Sequence, residues 1–158
     1  DGVPIQSAEL LAAARDLINE NVNWDEIDVI LGLEAMGIPL AAALCLLSGK
    51  PLVIGRKRQY GLPGETAVDQ STGYSKGAIY LNDINEGDRV FVVDDVVSTG
   101  GTLLPVLKAI DSIGAIVGDC WIVFEKGEGM NYVRSHGDWP LNSLVRIEMD
   151  GNKVVLLE

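Results

Sequence analysis

The stretch Val90-Phe91-Val92-Val93-Asp94-Asp95-Val96-Val97-Ser98-Thr99-Gly100-Gly101-Thr102-Leu103 constrains this chain more than any other. A hydrophobic strand runs into two carboxylates, then into a turn rich in hydroxyls and glycine, then into a helix. Gly100 and Gly101 let backbone N–H groups approach an anion without Cβ interference, and Ser98, Thr99 and Thr102 add hydroxyl donors. A phosphate at this helix N-terminus is the expected ligand. Asp94 and Asp95 precede that cradle and would repel a second phosphate oxygen, so they suit sugar hydroxyls or a magnesium ion. A plain N-cap with a tight turn is the competing reading. No Gly-Lys-Ser/Thr follows the glycines and no G-x-G-x-x-G occupies a strand-to-helix turn, which excludes the two commonest nucleotide loops.

The rest of the chain supplies the frame for such a loop. Apolar residues at Leu10, Leu11, Ala14, Leu17 and Ile18 after Ser7 predict an amphipathic helix. Asp28 to Leu33 predicts a strand, Gly32 to Gly37 a loop, and Ile38 to Ser48 an apolar helix ended by Gly49. Pro51 to Ile54 predicts a further strand. Arg56 to Gly77 is polar and glycine-rich for about twenty residues, too long for an idle connection, and is expected to be a functional loop. Ala78 to Leu81 and Arg89 to Val93 are expected strands around the turn Asn85-Glu86-Gly87-Asp88. Gly101 to Ile113 predicts a helix and Ile116 to Phe124 a strand. Leu144 to Met149 and Lys153 to Leu157 predict a hairpin about Asp150-Gly151-Asn152. Buried strands alternating with helices mean an α/β fold with a mainly parallel sheet, whose ligands sit beyond the carboxyl ends of the strands.

Composition narrows the function. The chain has 158 residues, 47% of them hydrophobic and 22% charged, which fits one globular domain and excludes disorder. Its longest nearly uncharged apolar stretch, Ile38 to Leu47, is about half the length a membrane span needs and contains Pro39. Twenty-three acidic residues against 12 basic ones give a net charge of -11, which disfavours a general nucleic-acid binder. Cys45, Cys120 and a lone His136 make no zinc set and read as belonging to a reducing cytoplasm. Against this acidic background Lys50, Arg56, Lys57 and Arg58 concentrate 4 of the 12 basic residues beside one strand end, as an anion clamp would. The start at Asp1 without a methionine suggests that N-terminal sequence is missing.

The segment 90–103 resembles the phosphoribosyl pyrophosphate (PRPP) motif of the type I phosphoribosyltransferases: four apolar residues, two acids, two apolar residues, then a Ser/Ala/Asp-Thr-Gly-x-Thr loop. The resemblance extends over nearly the whole chain. Leu31-Gly32-Leu33-Glu34-Ala35-Met36-Gly37 resembles the family's pyrophosphate loop. Arg56-Lys57-Arg58-Gln59-Tyr60-Gly61-Leu62 is similar to the Arg-Lys segment of purine enzymes, and Thr72-Gly73-Tyr74-Ser75-Lys76 to the flexible loop that closes the active site. Together these look most like the archaeal purine branch, with a type I phosphoribosyltransferase fold.

The resemblance implies transfer of a phosphoribosyl group from PRPP to a purine base, giving a nucleoside monophosphate and pyrophosphate, with Mg2+ held mainly by PRPP and Asp94 and Asp95 nearby. It implies PRPP binding by Asp94, Asp95, Val96, Val97, Ser98, Thr99, Gly100, Gly101 and Thr102. Pyrophosphate would be held by Ala35, Met36 and Gly37, often around a non-proline cis peptide, with Arg56, Lys57 and Arg58. Gly73, Tyr74, Ser75 and Lys76 form the expected lid, Arg56, Phe124 and Lys126 the expected base site, and Asp94, Asp95, Lys76 and Glu125 the expected catalytic set. Glu34 is expected to orient its loop or a metal-bound water.

Hypoxanthine or guanine is the expected base and adenine the alternative. Ser98 stands where 6-oxopurine enzymes usually carry an acid, and Gly73 where adenine enzymes carry one in the lid, so neither familiar acid/base is present. A homodimer in the cytoplasm is expected, with no nucleic-acid or membrane partner and with an N-terminal hood over the base largely absent from this chain. A PRPP-sensing regulator of the same fold is the competing class.

Overall fold

The computed structural model describes residues 5–71 and 76–157. Its main sheet holds six strands: β1 (Val29–Leu33), β2 (Leu52–Gly55), β5 (Arg89–Val97), β6 (Ile116–Lys126), β7 (Leu141–Asp150) and β8 (Lys153–Leu157). Their order is β2-β1-β5-β6-β7-β8. The first five are parallel, and β8 closes the edge antiparallel to β7. A second, two-stranded antiparallel sheet pairs β3 (Thr66–Ser71) with β4 (Lys76–Leu81).

Both faces of the main sheet are covered, which is why its central strands read as unbroken apolar runs. Val29, Leu31, Leu33, Val90 and Val92 point to one face, where helix α3 (Leu103–Ile113), the β3–β4 hairpin and helix α4 (Gly129–Arg134) pack on them. Ile30, Phe91, Val93, Trp121 and Val123 point to the other, against helices α1 (Ala8–Asn19) and α2 (Gly37–Ser48). Ser7 caps α1 through its hydroxyl, which accepts from the Leu10 amide at 3.1 Å. Gly49 and Gly114, both in the left-handed region, end α2 and α3. Gly32 is a contact residue: a Cβ there would lie 2.6 Å from the Ala41 methyl, so α2 sits directly on β1.

The structure departs from the sequence reading at one point and adds two features it did not contain. The interval 56–77 is not one loop, because it contains β3, whose inward-facing Val68 is too sparse a signal to betray a strand. β4 pairs with β3, while β5 lies between β1 and β6 in the parallel sheet. Helix α4 was not anticipated at all: six residues are too few for a 3.6-residue period to show. The C-terminal hairpin is present, and β7 also joins β6 in parallel. Among the described residues no helix is long and apolar enough to cross a membrane.

Candidate active site

β1, β2, β5 and β6 all end on one side of the sheet, and the turns that follow them carry the residues singled out by the sequence. β5 runs on through Asp94 and Asp95 to Val97, so the two acids lie within the strand. The chain then turns through residues 98–102, with Gly100 at φ 77°, before α3 begins at Leu103. The Leu104 amide donates to the Gly100 carbonyl at 3.0 Å, and the Gly101 amide to Thr99 Oγ1 at 3.3 Å. Residues 96–103, with Asp94 and Ile122, line a cleft of about 250 Å³. It opens at the N-terminal end of α3, where free backbone amides and the helix dipole favour an anion.

The turn after β1 reaches the same place. It contains a cis peptide between Glu34 and Ala35. Gly37 rests on the acidic strand: a Cβ at 37 would come within 2.6 Å of the Val93 carbonyl oxygen and 3.2 Å of Asp94 Oδ1. Asp94 Oδ1 accepts from the Asp95 amide at 2.9 Å. Burial, reinforced by the neighbouring Asp95 carboxylate, pushes the Asp94 carboxyl up to about 8; that amide bond and the charge of Lys57 oppose the shift.

The basic segment after β2 is tied to both loops. The Lys57 amide donates to Glu34 Oε2 at 2.9 Å, and Arg56 Nε lies 3.3 Å from the same oxygen as an ion pair without hydrogen-bond alignment. Arg56 also exchanges backbone hydrogen bonds with Tyr80 of β4, at 3.0 and 2.7 Å. Arg56 and Arg58 both lie over the Tyr60 ring, at 6.0 and 5.5 Å. Beyond them, Glu65 accepts from the Tyr60 and Gly61 amides and from Asn82, which fastens the turn to the hairpin. Lys57 and Arg58 stay exposed.

Asp95, Met36 and Phe124 line a second, smaller cleft of about 120 Å³ beside Val123, Leu40 and the α1 residues Leu10, Leu11 and Ala14. This mostly apolar cleft adjoins the acids through Asp95. Of the three residues expected at the base, Phe124 lines it, whereas Arg56 lines a separate cleft at the β2 edge and Lys126 lines neither. Glu125, expected to touch substrate, is 2% exposed and faces Arg134, Arg146 and Ser143 instead. Gly73, Tyr74 and Ser75 lie outside the described residues, as does the side chain of Lys76.

The phosphoribosyl transferase domain family matches residues 6–157 of the sequence. The chain belongs to this family. The hypoxanthine/guanine phosphoribosyltransferase of Methanocella paludicola is 46% identical over 99% of this chain and 81% of its own length. That of Ferroglobus placidus is 50% identical over 98% and 83%. Among solved structures, the adenine phosphoribosyltransferase of Rhodothermus marinus superposes with a TM-score of 0.77 at 26% identity, covering 89% of this chain and 81% of the other. The Saccharomyces cerevisiae enzyme solved with adenine and an imino-altritol bisphosphate gives 0.72 at 26%, covering 91% and 85%.

In this phosphoribosyltransferase chain the sequence marks Asp95, Met36 and Phe124 of the apolar cleft but not its helical walls. Leu10, Leu11 and Leu40 look like ordinary helix-core positions. Sequence reasoning also missed α4, which touches the phosphate turn through Gly129 and Val133. The only available signal was the glycine pair Gly127 and Gly129 next to apolar Met130 and Val133.

Proposed function

We propose that this chain is a purine phosphoribosyltransferase that joins hypoxanthine or guanine to PRPP. The observation that carries the reading is the meeting of two turns at Asp94, where the cleft at the start of α3 on one side and Gly37 on the other bracket a pair of carboxylates. The names of the relatives at 46–50% identity support a 6-oxopurine base.

In the reaction the C1–O bond to pyrophosphate breaks and a bond from a purine nitrogen to C1 forms, while the nitrogen's proton passes to a water held by Asp95 and from there to solvent. The amides and hydroxyls of residues 98–102, with Val96 and Val97 at the entrance, hold the 5′-phosphate. Asp94 and Asp95 accept hydrogen bonds from the ribose hydroxyls. The amides of Ala35, Met36 and Gly37, with Arg56, Lys57 and Arg58, hold the departing pyrophosphate and stabilise its charge. Phe124 flanks the base, and Lys126 donates to its 6-oxo group. Lys76 and the segment Gly73, Tyr74, Ser75 enter the proposal from the sequence resemblance alone, as a cover that keeps water from PRPP.

Two adjacent carboxylates are hard oxygen donors of the kind Mg2+ prefers, and few protein ligands suffice when substrate oxygens complete the shell. Asp94 and Asp95 would be the protein side of that shell, and the ion would neutralise the diphosphate. One domain, a homodimer and a cytoplasmic setting belong to the same proposal; the two free cysteines are consistent with the last.

The test is nucleotide and pyrophosphate formation from Mg-PRPP with hypoxanthine, guanine, adenine and xanthine in parallel. Turnover of hypoxanthine or guanine is expected. Turnover of adenine alone would replace the base assignment, and the structural likeness to adenine enzymes makes that the second reading. PRPP binding without turnover of any base would favour a PRPP sensor.

A further inference from the structure

Glu125 stands out once it is removed from the reacting groups. It is the one charged side chain among the described residues buried in the core, at 2% exposure. Its Oε1 lies 3.5 Å from Arg134 Nη1 and 3.6 Å from Arg146 Nε, and its Oε2 accepts from Ser143 Oγ at 2.8 Å. A buried carboxylate is costly unless paired, and removing a partner leaves the charge stranded. Arg134 closes α4, and Arg146 pairs with Glu125 in register across β6 and β7.

The helix held by this carboxylate leans on the phosphate turn. A Cβ at Gly129 would meet the Ser98 carbonyl oxygen and the Thr99 nitrogen, the latter at 2.8 Å. A Cβ at Gly100 would meet Val133 at 2.8 Å and the Gly129 carbonyl oxygen at 2.9 Å. Met130 and Val133 also anchor α4 in the core. Val97, the last residue of β5 before the turn, is the cross-strand partner of Glu125. One buried charge is thus joined to the turn by two routes, through the β5–β6 ladder and through α4.

We propose that Glu125 is a positioning residue for PRPP: its ion pair with Arg134 clamps α4 against residues 98–100, so the turn is already shaped for phosphate before substrate arrives. Pre-organised donors lower the ordering cost of binding. The loss therefore falls on PRPP affinity and leaves the chemical step alone. The kinetic part rests on the phosphoribosyltransferase reading; the order of the turn does not.

Two readouts separate those dependencies. In the ligand-free chain, 15N relaxation of residues 98–101 is compared for the parent, Glu125→Gln, Arg134→Gln, Arg134→Lys and the double variant Glu125→Gln/Arg134→Gln. Order parameters near about 0.85 in the parent should fall toward about 0.6 in both single glutamine variants, with β1 unchanged. In turnover with Mg-PRPP and hypoxanthine, both should raise KM for PRPP about tenfold, with kcat and the KM for hypoxanthine within about twofold. Arg134→Lys should restore most of the affinity, and the double variant should be no worse than either single one. Arg134 is 43% exposed, so its variants carry the test if Glu125→Gln fails to fold.

A fall in kcat at unchanged KM for PRPP would overturn the proposal in favour of acid/base chemistry at Glu125. Unchanged order and unchanged KM beside a lower melting temperature would reduce Glu125 to a core residue. Absence of turnover in the parent would defeat the enzyme reading while the relaxation result still decides the clamp.

Discussion

Gly37 and Asp94 touch across the sheet: any side chain at 37 would press on the Val93 carbonyl oxygen at 2.6 Å and on Asp94 Oδ1 at 3.2 Å. The neighbouring strands β1 and β5, paired at Gly32 and Val93, bring the two turns this close. The proposed pyrophosphate and ribose contacts therefore share one atom cluster, and a change to either turn is expected to be felt by the other.

Gly37→Ala tests that contact. The obstructing atom is backbone, which has no rotamer to yield, so α2 must shift from the strand; overpacking of this kind costs about 1–3 kcal/mol. A lower melting temperature is expected together with at least a tenfold rise in KM for PRPP. Parent-like values of both would show that the turn has room to spare.

The raised proton affinity of Asp94 makes stability depend on pH. Burial and then the adjacent Asp95 carboxylate push its carboxyl up to about 8 in the folded chain, from an ordinary 3.8. Between those two values the folded chain binds more protons than the unfolded chain, so stability falls as pH rises through that window and levels off above about 8. Asp94→Asn should flatten this part of the curve, measured by denaturant unfolding from pH 5 to 9. Substrate hydroxyls prefer the ionised acid, so PRPP binding near pH 7 should release a proton that the variant does not release. Calorimetry in buffers of different ionisation enthalpy reads this directly. Turnover by the variant should fall about a hundredfold, the scale of losing one oriented polar group at a reacting centre.

Much of the geometry of this candidate site was legible from residues 90–103, because a strand, two acids and a glycine-hydroxyl turn before a helix are all local features. The apolar cleft was only partly so: Asp95, Met36 and Phe124 were marked, but Leu10, Leu11, Ala14 and Leu40 come from α1 and α2 and look like ordinary core in their own segments. Glu125 shows the same limit: beside Phe124 and Lys126 at a strand end it reads as a substrate contact, and only the tertiary arrangement reveals two arginines and a serine around it. The strand β3 escaped detection because Val68 is its single well-buried apolar side chain, and the hairpin is recognised by its packing on α3.

Glu34 links the pyrophosphate turn to the basic segment through the Lys57 amide and the Arg56 guanidinium. Both partners are partly exposed, so the pair contributes little to global stability, about 0–1 kcal/mol. Its effect should appear in ligand affinity instead. Glu34→Gln is expected to leave the melting temperature nearly unchanged while raising KM for PRPP about fivefold, and added salt should narrow the gap between variant and parent by screening the clamp. A large stability loss with parent-like PRPP affinity would contradict this.

Lys126 offers the sharpest test of base choice. It lies at the end of β6, two residues beyond Phe124, which lines the apolar cleft. A lysine ammonium is a donor only, so it suits the 6-oxo group of hypoxanthine or guanine and has nothing to accept from the 6-amino group of adenine. A hydrogen bond to a charged group contributes about 1.5–3 kcal/mol, roughly ten- to hundredfold in affinity. Lys126→Met should therefore raise KM for hypoxanthine by about that factor and leave PRPP affinity, measured without base, where it was. If hypoxanthine affinity survives the change, the 6-oxo group is read by another residue, and Lys126 is a solvated lysine at a strand end.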